Sequence, residues 1–148
     1  MPRRRRILVL ALAALAFVAA TALVARVLTV GNAERNTVVA ILRAQARGDE
    51  RGVLARLRGC RDNPPCRAQV RGALASTRRP GEFKVLRYDG PGGVPLGGRQ
   101  GTARIAWKAG RALSVVQCVK LRTDGDPVSG YSVRVVALGA PIARDGSC

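Results

Sequence analysis

Four cysteines, Cys60, Cys66, Cys118 and Cys148, are the side chains of this 148-residue chain best suited to a chemical role, as metal ligands, redox groups or disulfides. Zinc sites and dithiol redox sites use closely paired C-x-x-C spacings, which the sequence lacks. Wider spacings in a domain outside the cytoplasm, which the N-terminal sequence indicates, favour disulfides. Of the three pairings that four cysteines allow, we favour Cys60 with Cys66, because the segment RDNPP between them is turn-forming. Cys118 then pairs with Cys148 by elimination.

The remaining residue types offer little to an enzyme. The sequence has no histidine, the side chain most used for acid–base catalysis and as a neutral metal ligand. The acids Asp49, Glu50, Asp89 and Asp124 fall at predicted turns or helix caps, where acids ordinarily stabilise structure. We therefore expect a protein that is not an enzyme and that has no catalytic residue, metal site or cofactor.

Two further features could be mistaken for ligand sites. The glycine-rich segment Gly90–Gly98 matches neither G-x-x-x-x-G-K-[ST] nor G-x-G-x-x-G, and strands are predicted on both of its sides. It is therefore interpreted as a hairpin loop and not as a phosphate-binding loop. Gln117 is polar on an otherwise apolar strand face, where it could line a pocket, but a hydrogen-bonded core glutamine is the favoured interpretation.

The chain is strongly basic, with 26 Lys and Arg against 9 Asp and Glu and a formal net charge of +17. Five arginines lie in the first thirty residues, which leaves a net charge of +12 for residues 31–148. This excess is either a compositional bias with solvated charges or an attraction to anionic lipid, an anionic wall polymer or nucleic acid. Nucleic acid is disfavoured, because the aromatic residues beyond residue 30 are few and scattered, namely Phe83, Tyr88, Trp107 and Tyr131.

The N-terminal sequence predicts where the chain is located. Arg3–Arg6 form a basic block, and Ile7–Ala25 follow with no charged residue over nineteen positions. A run of about twenty apolar residues is long enough to cross a bilayer. By the positive-inside rule, residues 1–6 are a cytoplasmic tail, 7–30 a single-pass transmembrane anchor and 31–148 an extracytoplasmic domain at the cell membrane.

A cleaved signal peptide is the alternative interpretation of the same segment. Its apolar region usually covers about seven to fifteen residues and ends at small residues such as those in Ala20-Thr21-Ala22. The apolar run here is longer, which favours an uncleaved anchor. Both interpretations place the remaining chain outside the cytoplasm.

Three helices are predicted after the apolar segment. Apolar residues at three- and four-residue steps predict the first over Ala33–Arg47, and Gly48 ends it. Asp49 is the expected N-cap of the second, which ends near Gly59. The third is expected to begin after the Asn63 cap, with Pro64 at its first position, and to stop before Pro80.

The apolar period changes to two after Gly81, which indicates strands. Four are predicted, at Glu82–Asp89, Gly101–Lys108, Ala112–Arg122 and Gly130–Leu138. The third would place Leu113, Val115, Gln117, Val119 and Leu121 on one face, and the segment 123–127 would form the turn that follows it. Helices and then strands in separate blocks predict an α+β domain, with about three helices packed on a curved antiparallel sheet of about four strands.

This organisation resembles that of the small extracytoplasmic NTF2-like (cystatin-like) domains of actinobacterial envelope proteins. The resemblance is carried by the N-terminal anchor, by the helix ending in Arg47-Gly48-Asp49, by Val115–Val119 and Gly130–Val133, and by Pro141-Ile142 before the terminal Cys148. It implies a membrane-anchored protein with no assigned activity. Enzymes of the wider NTF2-like family place an acid or a histidine inside the cone between sheet and helices, and no predicted strand interior here carries either residue.

The expected function is therefore a non-enzymatic binding or assembly module of the cell envelope. Its expected partners are the membrane and, beyond it, envelope proteins or an anionic lipid or polymer. The alternatives are a small NTF2-like enzyme of the isomerase or hydrolase type, or a cleaved secreted protein that binds an anionic ligand.

Overall fold

A computed structural model describes residues 2–93 and 97–148 of the chain. Its elements are α1 (Pro2–Arg47), α2 (Glu50–Arg56), α3 (Pro64–Thr77), β1 (Phe83–Asp89), β2 (Arg99–Ala109), β3 (Val115–Asp126) and β4 (Gly130–Ile142). The strands form one antiparallel sheet in the order β1-β2-β3-β4, and its inner face packs against the helices. The predicted α+β class, with three helices in the domain and four antiparallel strands, is confirmed.

Helix α1 joins two segments that the sequence analysis treated separately. The apolar segment 7–30 and the helix predicted over 33–47 form one unbroken helix of 46 residues. Gly31 and Asn32, which lie between the two predicted segments, are both helical, and a methyl group added at Gly31 would meet no atom within 4 Å. At about 1.5 Å per residue the helix is about 69 Å long.

The two halves of α1 have different surroundings. The first half contains an 18-residue window with a mean hydropathy of 2.8 and none of it is buried, so the helix is long and apolar enough to cross a membrane. The second half is the central helix of the core, where Val38, Ile41 and Leu42 are completely buried. The apolar segment therefore continues directly into the folded domain.

The caps of α2 and α3 agree with the sequence prediction. The Asp49 side chain accepts a hydrogen bond from the Gly52 amide at 2.9 Å, and Asn63 accepts one from the Cys66 amide at 3.2 Å. Each satisfies an amide that the first helical turn leaves unpaired. Helix α2 ends at Arg56, before the expected end near Gly59, because the next residue, Leu57, is extended and forms a bridge with Val135 of β4.

The strand ends differ from those predicted. Strand β3 continues to Asp126, through the segment expected to be a turn, because Asp124 and Asp126 pair with residues of β4. Asp124 therefore lies inside a ladder and not at a turn. Strand β3 also begins later, at Val115, so Leu113 lies in the β2–β3 connection and is 81% exposed. The prediction that Leu113 shares the apolar face of β3 is wrong.

Four other strand ends also differ from the prediction. Strand β2 begins at Arg99 and ends at Ala109, beyond the predicted Gly101–Lys108 at both ends. Strand β4 reaches Ile142, because Ile142 and Pro141 pair with the first residues of β3. Strand β1 starts at Phe83, one residue later than predicted.

The core lies between the inner sheet face and the helices. Trp107 and Ile105 of β2, and Val119 and Leu121 of β3, are at most 1% exposed. The Trp107 ring lies 5.4 Å from the ring of Phe83, centroid to centroid, across the β1–β2 pair. Truncating a buried tryptophan to alanine costs about 3–5 kcal/mol of folding free energy, so this ring is a principal packing element.

Two disulfides complete the domain, with the pairing that the sequence favours. The bond between Cys60 and Cys66 joins the segment after α2 to the first turn of α3, with a Cα–Cα distance of 5.3 Å. The bond between Cys118 and Cys148, with a Cα–Cα distance of 5.8 Å, ties the last residue to the outer face of β3. Arg104 donates hydrogen bonds to the tail carbonyls of Arg144 and Gly146, the latter at 2.9 Å, so the tail lies across the outer face of the sheet.

Candidate functional site

A buried polar cluster lies between α1 and the sheet. Glu34 is on the core side of α1 and is only 3% exposed. One oxygen, Oε1, accepts hydrogen bonds from Arg99 Nη2 at 2.7 Å and from Thr123 Oγ1 at 2.6 Å. Arg99 begins β2 and Thr123 lies near the end of β3, so a single carboxylate oxygen links the helix to two strands.

Arg99 extends this cluster to the segment after β1. Its Nη1 donates to the carbonyl oxygens of Gly92 and Gly93, the latter at 2.7 Å. The guanidinium thus bridges α1 and the glycine-rich connection between β1 and β2. A buried ion pair contributes little net stability, but it can fix the relative position of two elements, here α1 and β2.

Tyr88 borders the cluster and has an unusual environment. Its hydroxyl is buried and has no hydrogen-bond partner among residues 2–93 and 97–148. Burial, together with the negative charge of Glu34, raises the pKa of Tyr88 to about 12, against opposing contributions from Arg99 and Arg35. The phenol therefore stays neutral over the physiological range. It could donate a hydrogen bond to a ligand, but it does not ionise near neutral pH.

The charged groups of Glu34 and Arg99 are largely shielded from solvent. The Glu34 side chain is 5% exposed and that of Arg99 is 19% exposed, so neither reaches solvent freely. The cluster is therefore better suited to positioning elements than to acid–base chemistry.

The sequence analysis assigned no role to Glu34, Arg99 or Thr123. A signal for Glu34 was present, because it continues the buried stripe of α1 at four-residue steps between Val30 and Val38. An acid on such a stripe must be paired or neutral. The identity of its partner could not be read, since Arg99 is 65 residues away along the chain.

Gln117 lies in a second buried network. Its Nε2 donates to Gln45 Oε1 at 3.2 Å and to the carbonyl of Gly139 at 3.0 Å, while its Oε1 accepts from Trp107 Nε1 at 3.3 Å. Gln45 Nε2 in turn donates to Thr77 Oγ1 of α3 at 2.7 Å. Gln117 is thus a hydrogen-bonded core glutamine, the interpretation that the sequence favoured over a pocket residue.

The acids of the outer sheet face are paired with arginines. Asp124 accepts from Arg122 Nε at 2.8 Å and from Arg134, and Asp89 accepts from Arg87 Nε at 2.9 Å. These pairs are partly or largely exposed, and such pairs contribute only about 0–1 kcal/mol each. They offset part of the positive charge of this face and create no reactive group.

The helical layer also carries an excess of positive charge. We call the helical arginine surface the set of exposed arginines on α1, α2, α3 and their connections: Arg35, Arg43, Arg47, Arg51, Arg56, Arg58, Arg61, Arg67, Arg71 and Arg78. Within the part of the chain that the structure describes, Arg71 is the only member in an ion pair, at 3.6 Å from Glu50. Arg43 lies 5.9 Å above the Phe83 ring. The surface thus presents guanidinium groups to solvent.

Other sequence expectations concern sites that were predicted to be absent. Across residues 2–93 and 97–148 no three His, Cys, Asp or Glu side chains are grouped so as to hold a metal ion. Part of the glycine-rich segment, Val94–Leu96, lies outside the described residues. Comparison of the chain with protein-family profiles, with curated proteins and with solved structures found no match.

Proposed function

We propose that this protein is a single-pass membrane protein whose residues 31–148 form an extracytoplasmic, non-enzymatic binding or assembly module of the cell envelope. The observation that carries the proposal is the continuity of α1. One helix is fully exposed and apolar over its first half and is the central core helix over its second half. An exposed apolar surface of that size needs a membrane or a partner to cover it.

The length of the exposed segment fits a bilayer. Arg6 and Arg26 are twenty residues apart, which is about 30 Å along a helix and matches the hydrocarbon thickness. Between them, Leu10 and Phe17 are 69% and 73% exposed. Thr21 is the one uncharged polar side chain in this interval, and its hydroxyl donates to the Phe17 carbonyl at 2.8 Å. Its polar group is therefore satisfied within the helix, as a lipid environment requires.

Two observations support the orientation. The block Arg3–Arg6 precedes the apolar segment, and basic residues favour the cytoplasmic side. The four cysteines all follow the segment and are all paired in disulfides, which persist in oxidising compartments outside the cytoplasm.

The helical arginine surface supports binding as the activity. Arg47 lies twenty-one residues beyond Arg26, about 30 Å along α1, whereas the Debye length at physiological salt is about 8 Å. The far part of the surface therefore cannot act on the membrane that α1 crosses. We infer an anionic wall polymer or an acidic envelope protein as its partner. An NTF2-like fold for this domain, suggested by the sequence resemblance, is part of the proposal.

A small enzyme of the isomerase or hydrolase type is the second candidate. Glu34 is the observation that favours it, because this acid lies between the sheet and a helix, where NTF2-like enzymes place their catalytic groups. Its salt bridge to Arg99 and its hydrogen bond from Thr123 weigh against it. A secreted protein released by cleavage near Ala22 is the third possibility, and the contact of Arg26 with the domain would then remain at its new N-terminus.

Protease added to cells stripped of their wall tests the proposal. With an epitope tag at each end, we expect the C-terminal tag to be lost and the N-terminal tag to survive on a membrane-bound fragment. Loss of the N-terminal tag alone would reverse the orientation. The intact mass of the purified protein checks cleavage, since a chain that starts after residue 20 would support the secreted alternative and overturn the anchor.

A further inference from the structure

The turn between β3 and β4 reaches the membrane-facing part of α1. We call residues 127–129 the hairpin tip. Arg26 Nη1 donates to the carbonyl of Pro127 at 3.1 Å and to that of Val128. Pro127 and Val128 face the last turns of the apolar segment across a crevice of about 370 Å³, whose other lining residues are Leu23, Val24, Val27 and Leu28. Every side chain that lines this crevice is apolar.

Most backbone polar groups of the hairpin tip are hydrogen-bonded within the chain. Pro127 has no amide hydrogen, and the amides of Val128 and Ser129 both donate to Asp126 Oδ1, at 2.7 and 2.9 Å. The Ser129 hydroxyl donates to Asp126 Oδ2 at 2.7 Å. The carbonyl oxygens of Pro127 and Val128 accept hydrogen bonds from Arg26 Nη1. The Val128 side chain nevertheless projects outward and is 77% exposed. Polar groups paired internally beneath an exposed apolar side chain are what a lipid environment requires.

The charges around the tip also offset one another. Hydrogen bonds from the Ser129 amide and hydroxyl, and then from the Val128 amide, lower the pKa of Asp126, so it is ionised at neutral pH. Its negative charge lies close to the positive charge of Arg26. The positive charge of Arg26 therefore offsets part of the negative charge of Asp126, which lowers the cost of placing a charge next to lipid.

The depth of the tip follows from the length of α1. Arg26 is about 30 Å from Arg6 along the helix, so it lies at the outer end of the hydrocarbon layer when Arg6 lies at the inner end. The crevice residues of α1 span positions 23–28 and straddle this boundary. The tip is held against α1 at the level where acyl chains meet headgroups.

We propose that the hairpin tip inserts into the outer boundary of the membrane that α1 crosses, as a second membrane contact, and that a phospholipid acyl chain occupies the crevice between Val128 and α1. This inference rests on the proposed anchor function. Phospholipid is the occupant because the crevice is continuous with the lipid-facing surface of the helix and is lined only by apolar side chains. In interfacial amphipathic helices, the apolar face is buried about 5–10 Å into this boundary between headgroups and acyl chains.

Depth-dependent tryptophan quenching tests this inference on the full chain in lipid nanodiscs. The native Trp107 is 0% exposed and gives a constant background that lipid cannot reach. Three variants are compared: V128W at the tip, F17W in the middle of the apolar segment, and L113W as the matched control. Leu113 is as exposed as Val128 but lies beyond the other end of β3, about 36 Å away along the strand. Lipids brominated at shallow or deep acyl positions act as the quenchers.

We expect V128W to lose emission with shallow bromines, F17W with deep bromines, and L113W with neither. Quenching of F17W without quenching of V128W would overturn the tip insertion and leave the anchor intact. No quenching of F17W would overturn the anchor itself. Equal quenching of L113W and V128W would show non-specific adsorption and also contradict the inference. Should V128W not fold, a benzophenone side chain at position 128 replaces it, and lipid adducts at 128 but not at 113 are the expected result.

Discussion

Glu34 Oε1 lies 2.7 Å from Arg99 Nη2, and this buried ion pair connects the helix that carries the apolar segment to the second strand of the sheet. The same carboxylate oxygen accepts the Thr123 hydroxyl of the third strand. Removal of either charged partner leaves the other buried and unpaired, which costs more than the pair contributes as a whole.

Substitution of Glu34 by glutamine should therefore destabilise the domain strongly. We expect E34Q to lower the free energy of unfolding by about 3 kcal/mol, because Arg99 keeps its charge in a low-dielectric site. The measurement is denaturant unfolding in detergent, followed through the buried Trp107. The double variant E34Q/R99Q is the control, and we expect its loss to be smaller than the sum of the two single losses. Strict additivity would show that the two residues act independently.

Tyr88 should lose its proton at a higher pH than an ordinary tyrosine. Because burial is the main cause that raises its pKa to about 12, the difference in tyrosinate absorbance between the wild-type protein and Y88F should rise near pH 12 and not near pH 10. A raised pKa means that the folded state favours the neutral phenol. The stability it contributes is fully present below pH 10 and is lost as the pH rises through about 12. A transition of the difference spectrum near pH 10 would contradict this environment.

The Y88F substitution itself should not destabilise the protein at neutral pH. The Tyr88 hydroxyl is buried without a partner among the described residues, so its removal sacrifices no hydrogen bond there and relieves a desolvated polar group. We expect the unfolding midpoint to stay unchanged or to rise. A clear decrease would show that the hydroxyl has a partner.

The two disulfides should contribute unequally to stability. Peptide mapping under non-reducing conditions should show Cys60 joined to Cys66 and Cys118 joined to Cys148, with no free thiol. Replacing both cysteines of the 118–148 pair by alanine should cost about 4 kcal/mol and replacing both of the 60–66 pair about 2 kcal/mol, because the longer loop restricts the unfolded chain more. The first change should also release the C-terminal tail to proteolysis, and the second should not. Equal losses would mean that loop length does not set the contributions.

The helical arginine surface should determine anion binding. In neutral nanodiscs, the full chain should bind an anionic polymer such as polyglutamate at low salt, and R51Q/R58Q/R67Q should weaken this binding. The matched control R111Q/K120Q/R144Q removes the same charge from exposed positions outside the helical layer. We expect the control to bind more tightly than the helical variant. Equal weakening by both sets would mean that only the net charge matters.

Some of these features could be predicted because they are local. The Asp49 and Asn63 caps and the short loop between Cys60 and Cys66 each depend on residues at most six positions apart, and the structure shows each where the sequence predicted it. Strand ends depend on the partner strand. Asp124 looks like a turn residue, yet pairing with Ser132 places it in β3.

The buried polar cluster could not be predicted, because its residues lie far apart along the chain. Glu34 stands out on its helix stripe, but only the packing of α1 on the sheet brings Arg99 and Thr123 to it. The continuity of α1 through Gly31 could not be predicted from the sequence either. A single glycine is compatible both with a helix end and with a helix interior that lacks steric conflict.

Because α1 is continuous, the anchor and the domain move as one rigid body in the proposed membrane setting. A transmembrane helix meets a bilayer of unequal thickness by tilting, commonly by about 20°. Without a hinge, a tilt of that size turns the domain through the same angle and carries Arg47, about 30 Å beyond the membrane, about 10 Å sideways. The local thickness of the bilayer would thus determine the lateral position and the orientation of the helical arginine surface relative to its partner. A flexible tether would decouple the two.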